Sequence, residues 1–166
     1  MSERELTYGE AVKEAIAEEM RRDPRVFLIG EDVAEAGHPF KTLVGLVQEF
    51  GTQRIIDTPI SEPGYAGIGV GAAMTGMRPI VDVMFGDFIT LTMDQMVNQA
   101  AKIHYMSGGK LKVPMVLRTT MGAGRRSAAP SSSSNRRCEP SRTSHPRTPN
   151  SAPGRSCSSE CAGSRS

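Results

Sequence analysis

The chain of 166 residues has no tryptophan, only five Phe and three Tyr, and no cysteine before Cys138. Disulfides therefore play no part in the first 137 residues, which excludes a disulfide-stapled secreted scaffold for them. No apolar run approaches the roughly 20 residues of a membrane span. The polar start, Ser2 to Glu5, offers no apolar core of a signal peptide. Together these absences point to the cytoplasm and away from a membrane. The largest absence is at the other end. From Arg126 to Ser166 there is no Val, Ile, Leu, Met, Phe or Tyr, while there are thirteen Ser, seven Arg and five Pro. Without large apolar side chains a segment cannot bury enough surface to offset its backbone entropy. Disorder is the expectation there, and an α/β domain over residues 1–129 is followed by a low-complexity tail over 130–166.

Charge divides the same way. Residues 126–166 carry +5 of a total of +2, so the residues before them carry −3. An acidic body gives no electrostatic reason to expect nucleic acid. A Ser/Arg tail without aromatic residues is a weak RNA ligand. Cys157-x-x-x-Cys161 with Cys138 and His145 fits no usual zinc spacing.

What is present before residue 126 alternates. Thr7-Tyr8-Gly9-Glu10 reads as a capping box, followed by Val12, Ala15, Ile16 and Met20 at helical spacing. Val26–Ile29 is a short apolar run closed by Gly30, as in a buried parallel strand. A loop over 31–40, a helix carrying Leu43, Leu46, Val47 and Phe50, and a strand over 54–56 come next. A turn at Asp57–Gly64 feeds a helix over roughly 64–75. Strands at 79–84 and 113–117 flank an amphipathic helix from Asp94 to Tyr105. Such alternation implies a parallel sheet with helices on both faces. Ligands of such sheets sit at the carboxyl ends of the strands.

Glu62 lies at one of those ends, where it serves at least as a helix N-terminal acid. Behind it run Gly64, Gly67, Gly69 and Gly71. Glycine costs a helix about 1 kcal/mol relative to alanine, so a run of glycines indicates that something comes close. Gly67-Ile68-Gly69-Val70-Gly71-Ala72 with Asp87 imitates a dinucleotide fingerprint. That fingerprint needs its glycines in the turn directly after a strand. Here they fall inside a helix, and close packing is the better account. Asp87 and Asp94 read as caps or solvated acids and His104 as structural; His38 lies in a loop where it could face a substrate channel, though a lone loop histidine is usually just exposed.

Several segments now become specific together. They are Ile29-Gly30-Glu31-Asp32-Val33, Asp57-Thr58-Pro59-Ile60-Ser61-Glu62, Gly67 to Gly76 with Arg78-Pro79, Asn98 to Lys102, and Tyr105 to Gly109. From about Leu6 to Ala129 the chain resembles the beta subunits of thiamine-diphosphate-dependent 2-oxo-acid dehydrogenases, the pyruvate, branched-chain and acetoin enzymes. The resemblance covers their pyrimidine-binding domain and lacks their second domain.

The resemblance implies a thiamine diphosphate cofactor whose aminopyrimidine meets Glu62, with Ile60, Met84 and Phe88 lining its pocket. A glutamate sharing a proton with a ring nitrogen favours the tautomer that deprotonates the thiazolium carbon, and the cofactor then acts as an electron sink. It also implies an alpha subunit that holds the diphosphate and Mg²⁺ in an assembly of two alpha and two beta subunits. A lipoyl-bearing acyltransferase would receive the product. One departure stands out. Where the family continues with Gln-His after Ala128-Ala129, this chain has Pro130-Ser131, and beyond them the composition of a high-GC gene read out of frame. A truncated fragment that at most binds the alpha subunit, inactive alone, and a piece of a transketolase-like enzyme are the rival expectations.

Overall fold

The computed structural model describes residues 5–121. The change of character expected at residue 130 lies outside them.

Four strands form one parallel sheet in the order β2-β1-β3-β4: β1 (Val26–Gly30), β2 (Ile55–Asp57), β3 (Arg78–Val83) and β4 (Val116–Thr119). All five residues of β1 are buried, which explains its unbroken apolar run. Side chains alternate between the faces. Val26, Leu28 and Ile80 point into one core, with Ile16, Ala17 and Met20 of α1 (Tyr8–Arg22) and Leu46 and Val47 of α2 (Leu46–Phe50). Phe27, Ile29, Val81 and Val83 point into the other, against Tyr65 and Ala66 of α3 (Glu62–Met74). The expected two-faced sheet is therefore present.

The capping box of α1 forms as the sequence predicts. The Thr7 N–H donates to Glu10 Oε2 at 2.8 Å, and the Glu10 N–H to Thr7 Oγ1 at 3.3 Å. Elsewhere the boundaries move. Gly45 adopts φ 94° and confines the second helix to five residues. β4 begins three residues later than expected, after Pro114, whose missing N–H cannot serve a ladder. A 3₁₀ turn over Gly86–Thr92 was not legible. The expected helix from Asp94 is wound as a π-helix over Asp94–Ala100 before α4 (Ala101–Met106) takes over, and neither piece buries a residue.

The connections set the location of a site. After β1 the chain moves outward to β2; after β2 it crosses back over α3 to β3, on the other side of β1. Neighbouring strands β1 and β3 thus send their connections in opposite directions. The crevice beyond the carboxyl ends at such a reversal is where open parallel sheets bind ligands.

Candidate functional site

Glu62 is the first residue of α3, with Ser61 at the cap and Pro63 following. Proline is tolerated there because the first helical N–H groups have no partner in the helix. The exposed N–H dipoles of a 13-residue helix favour a negative charge at this end. Glu62 is nevertheless 7% exposed, and its carboxyl group accepts no hydrogen bond from the described residues.

Two buried groups share its surroundings. Glu31, the residue directly after β1, is 5% exposed, and its Oε1 has no partner among the described residues. Burial pushes its pKa up, the nearby Glu62 and Asp32 charges push it further, and the Ser61 N–H opposes them. Tyr65 lies one turn along α3, 1% exposed, with its hydroxyl likewise unpartnered. Its phenol is pushed up by burial, and then by Glu31, Glu62 and Asp82. The strand reversal therefore holds two carboxyl groups and a phenol in mutual electrostatic contact, with hydrogen-bonding capacity unused. Glu31, buried beside a second carboxyl group, keeps its proton to higher pH than a solvated glutamate does. Such a site is suited to giving or sharing a proton with a polar ligand.

The other sequence-predicted residues surround this point unequally. Phe88, in the turn after β3, packs on the α3-side core beside Tyr65 and Ala66 and meets Phe85 edge-on at 5.5 Å. Met84 leaves β3 half-buried. Ile60, two residues before Glu62, is 84% exposed. Glu31 and Tyr65 escaped sequence reasoning. Glu31 stood at a strand's carboxyl end, where ligands are expected, but nothing local marked it; nothing in the sequence pattern singled out Tyr65.

His38 differs from expectation. It is wholly buried rather than exposed, because the segment after β1 folds back over the sheet. His104 is exposed, with Nδ1 2.7 Å from the Leu111 carbonyl. Asp94 is a solvated acid, as expected, and takes the Asn98 amide at 2.7 Å. The glycines of the dinucleotide-like stretch lie within α3, well past its first turn. No three metal-ligating side chains converge among the described residues. No described helix is long and apolar enough to cross a membrane.

Residues 4–138 match the family model described as transketolase, pyrimidine binding domain. The chain is 52% identical over 124 residues to a pyruvate dehydrogenase E1 component subunit beta of Rhizobium meliloti, a match covering 75% of this chain and 27% of that protein. It is 50% identical over 143 residues to an acetoin:2,6-dichlorophenolindophenol oxidoreductase subunit beta of Bacillus subtilis, covering 79% and 42%. A 2-oxoisovalerate dehydrogenase subunit beta of the same organism is 46% identical over 119 residues, covering 72% and 36%. The chain thus spans between about a quarter and two fifths of the length of these relatives. It belongs to the transketolase pyrimidine-binding-domain family, alongside the dehydrogenase beta subunits to which about half of its matched residues are identical.

Proposed function

We propose that this chain provides the aminopyrimidine-binding half of a thiamine-diphosphate site, as part of the beta subunit of a 2-oxo-acid or acetoin dehydrogenase. Glu62 carries the assignment: a residue only 7% exposed at a helix N-terminus, at the strand reversal, whose carboxyl group has no hydrogen-bond partner among the described residues. The residues suit the cofactor. An aminopyrimidine offers ring nitrogens and an amino group to otherwise unpartnered acids, and Phe88 offers an aromatic face. When bound, thiamine diphosphate supplies a carbon nucleophile and an electron sink for cleavage next to a carbonyl group.

This chain's own residues would hold the ring and manage one proton. Glu62 would share a proton with a ring nitrogen. Glu31 would keep the neighbourhood short of negative charge by retaining its own. Ile60 and Met84 would exclude water from the ring's edges. The diphosphate and Mg²⁺ are assigned to an alpha subunit, and the acyl product to a lipoyl-bearing acyltransferase. The outer face of α3, with Gly64, Ile68 and Gly71, is the surface that suits a close-packed alpha subunit. Ile68 is 57% exposed, and no atom lies within 4 Å of a Cβ built on Gly71. Residues 130–166 contribute nothing to this function in the proposal.

The test is Glu62→Gln in a full-length beta subunit carrying these residues and paired with its alpha subunit. Proton exchange at the thiazolium carbon should slow by roughly 10²–10⁴-fold, the usual weight of acid–base catalysis. Unchanged exchange would reduce Glu62 to a helix-terminal acid.

A further inference from the structure

Between β1 and α2 the chain runs through residues 31–45 without a helix or strand. Within it Asp32, His38 and Lys41 adopt φ of 53°, 71° and 58°. Side chains with a Cβ rarely occupy this left-handed region, and they persist there only when their surroundings hold them.

The hold is polar and comes from the sheet. In register, Gly30 lies between Asp57 and Asp82, and Asp82 lies opposite Arg118, a single row across all four strands. Asp57 Oδ1 accepts the Ala34 N–H at 2.8 Å. Asp82, 1% exposed, pairs with the Arg118 guanidinium, which also donates to Thr42 Oγ1 at 3.0 Å. The Phe40 N–H donates to His38 Nδ1 at 3.2 Å. The neutral ring therefore carries its proton on Nε2, 3.7 Å from Asp82 Oδ1. Both of those facing atoms are buried and have no hydrogen-bond partner among the described residues, the 3.7 Å between them being a charge–dipole contact longer than a hydrogen bond.

A buried ion pair adds little net stability over a well-packed apolar pair; its best-supported use is to specify one conformation. Here the segment it specifies begins with Glu31. Gly30 leaves no slack between them, since a Cβ on it would fall 2.5 Å from the Asp82 carbonyl oxygen. Glu31 itself lies beside Ser61 and Glu62, across β1 from the pair.

We propose that Asp82, through its pair with Arg118, is a positioning residue that clamps residues 31–45 to the sheet at His38 and Thr42 and thereby holds Glu31 beside Glu62. Its bearing on chemistry rests on the assignment of Glu62 above, but the clamp can be tested without cofactor. Native-state hydrogen exchange on the full 166-residue chain compares the parent with Asp82→Asn. Asparagine keeps the size of the side chain but no longer balances Arg118. The amides of Ala34, His38 and Leu43, all hydrogen-bonded in the parent, should exchange at least about tenfold faster, while Leu28 and Val81 in the sheet keep their rates. In a ¹³C titration the Glu31 carboxyl should move back towards an ordinary glutamate.

A uniform loss of protection, unchanged rates in the segment, or faster exchange with Glu31 unmoved would each overturn the proposal. If Asp82→Asn does not fold, His38→Gln decides by the same readouts, because it removes the segment's side of the contact and leaves the ion pair. A failure of Glu62→Gln to slow thiazolium exchange would leave these local results standing, so the two assignments fail separately.

Discussion

At Glu62 two roles make different demands on one side chain. A helix-terminal acid contributes at most about 1 kcal/mol through the dipole, and its replacement by Gln would lower a melting temperature without touching chemistry. A proton-sharing acid contributes to rate, and Gln would leave folding nearly intact. Melting of the Glu62→Gln chain should therefore differ from the parent by less than that amount. Glu62 was legible because its position between strand and helix follows from local pattern. Glu31 was not, because its contact with Glu62 depends on β1 and β2 lying side by side, which no local signal encodes, and Tyr65, one turn along the same helix, carried nothing in the sequence pattern to mark it as a site residue. His38 was misjudged for the same reason: a loop residue is exposed unless the loop folds back over the sheet.

That burial has a measurable consequence. The His38 imidazole is pushed down to about 4, first by burial and then by the Arg118 charge. An unfolded chain takes up the proton near its ordinary pKa of about 6.5, and the native state refuses it. The stability due to neutral His38 is then complete above that value and lost as pH falls towards 4. Burial raises Asp82 and Glu31, which act in the opposite sense. The difference between parent and His38→Gln isolates the histidine. The parent's advantage in urea midpoint should shrink as pH falls from about 7 to about 4, and an advantage constant with pH would contradict the assigned burial.

Among the elements, α3 shows how the same residue type answers to different causes. Its glycines read in sequence as a single stretch awaiting a close neighbour. Gly69 has that neighbour inside the chain: an added Cβ would lie 2.4 Å from Val81 Cγ2 on β3. Gly71 has nothing within 4 Å. The two therefore predict opposite signs for one substitution. Gly69→Ala should destabilise by about 1–3 kcal/mol through overpacking. Gly71→Ala should stabilise the isolated chain by up to about 1 kcal/mol, through helix propensity and a less mobile unfolded state. Chemical denaturation of both variants checks this, and equal signs would mean that α3 sits otherwise on the sheet. The sheet and its two cores were legible because apolar runs of four or five residues report buried strands directly. The π-wound turn at Asp94–Ala100 was not, since its residues carry an ordinary helical pattern.

For the whole molecule, the question is how much of a binding site one chain encloses. Its candidate pyrimidine site is one-sided. Glu62, Glu31 and Tyr65 are buried within the domain, while Ile60, expected on the pocket wall, is 84% exposed. Nearby apolar side chains at Ile68, Leu91 and Val97 also face outward. Pocket-bound ligands usually have most of their surface enclosed, and a half-pocket gives up the apolar contact and water exclusion that make hydrogen bonds to a ring selective. In the proposal the diphosphate, the most highly charged part of the ligand, has its partners on another subunit. Calorimetry of the chain alone with thiamine diphosphate and Mg²⁺ should therefore show nothing tighter than about millimolar, or roughly −4 kcal/mol. Adding the alpha subunit of a close relative to a full-length beta subunit carrying these residues should bring binding into the measurable range, and Gly71→Leu on the outer face of α3 should abolish that gain by blocking close approach. Micromolar binding by the isolated chain would mean that it encloses the cofactor without help, and the division of the site between two subunits would have to be abandoned.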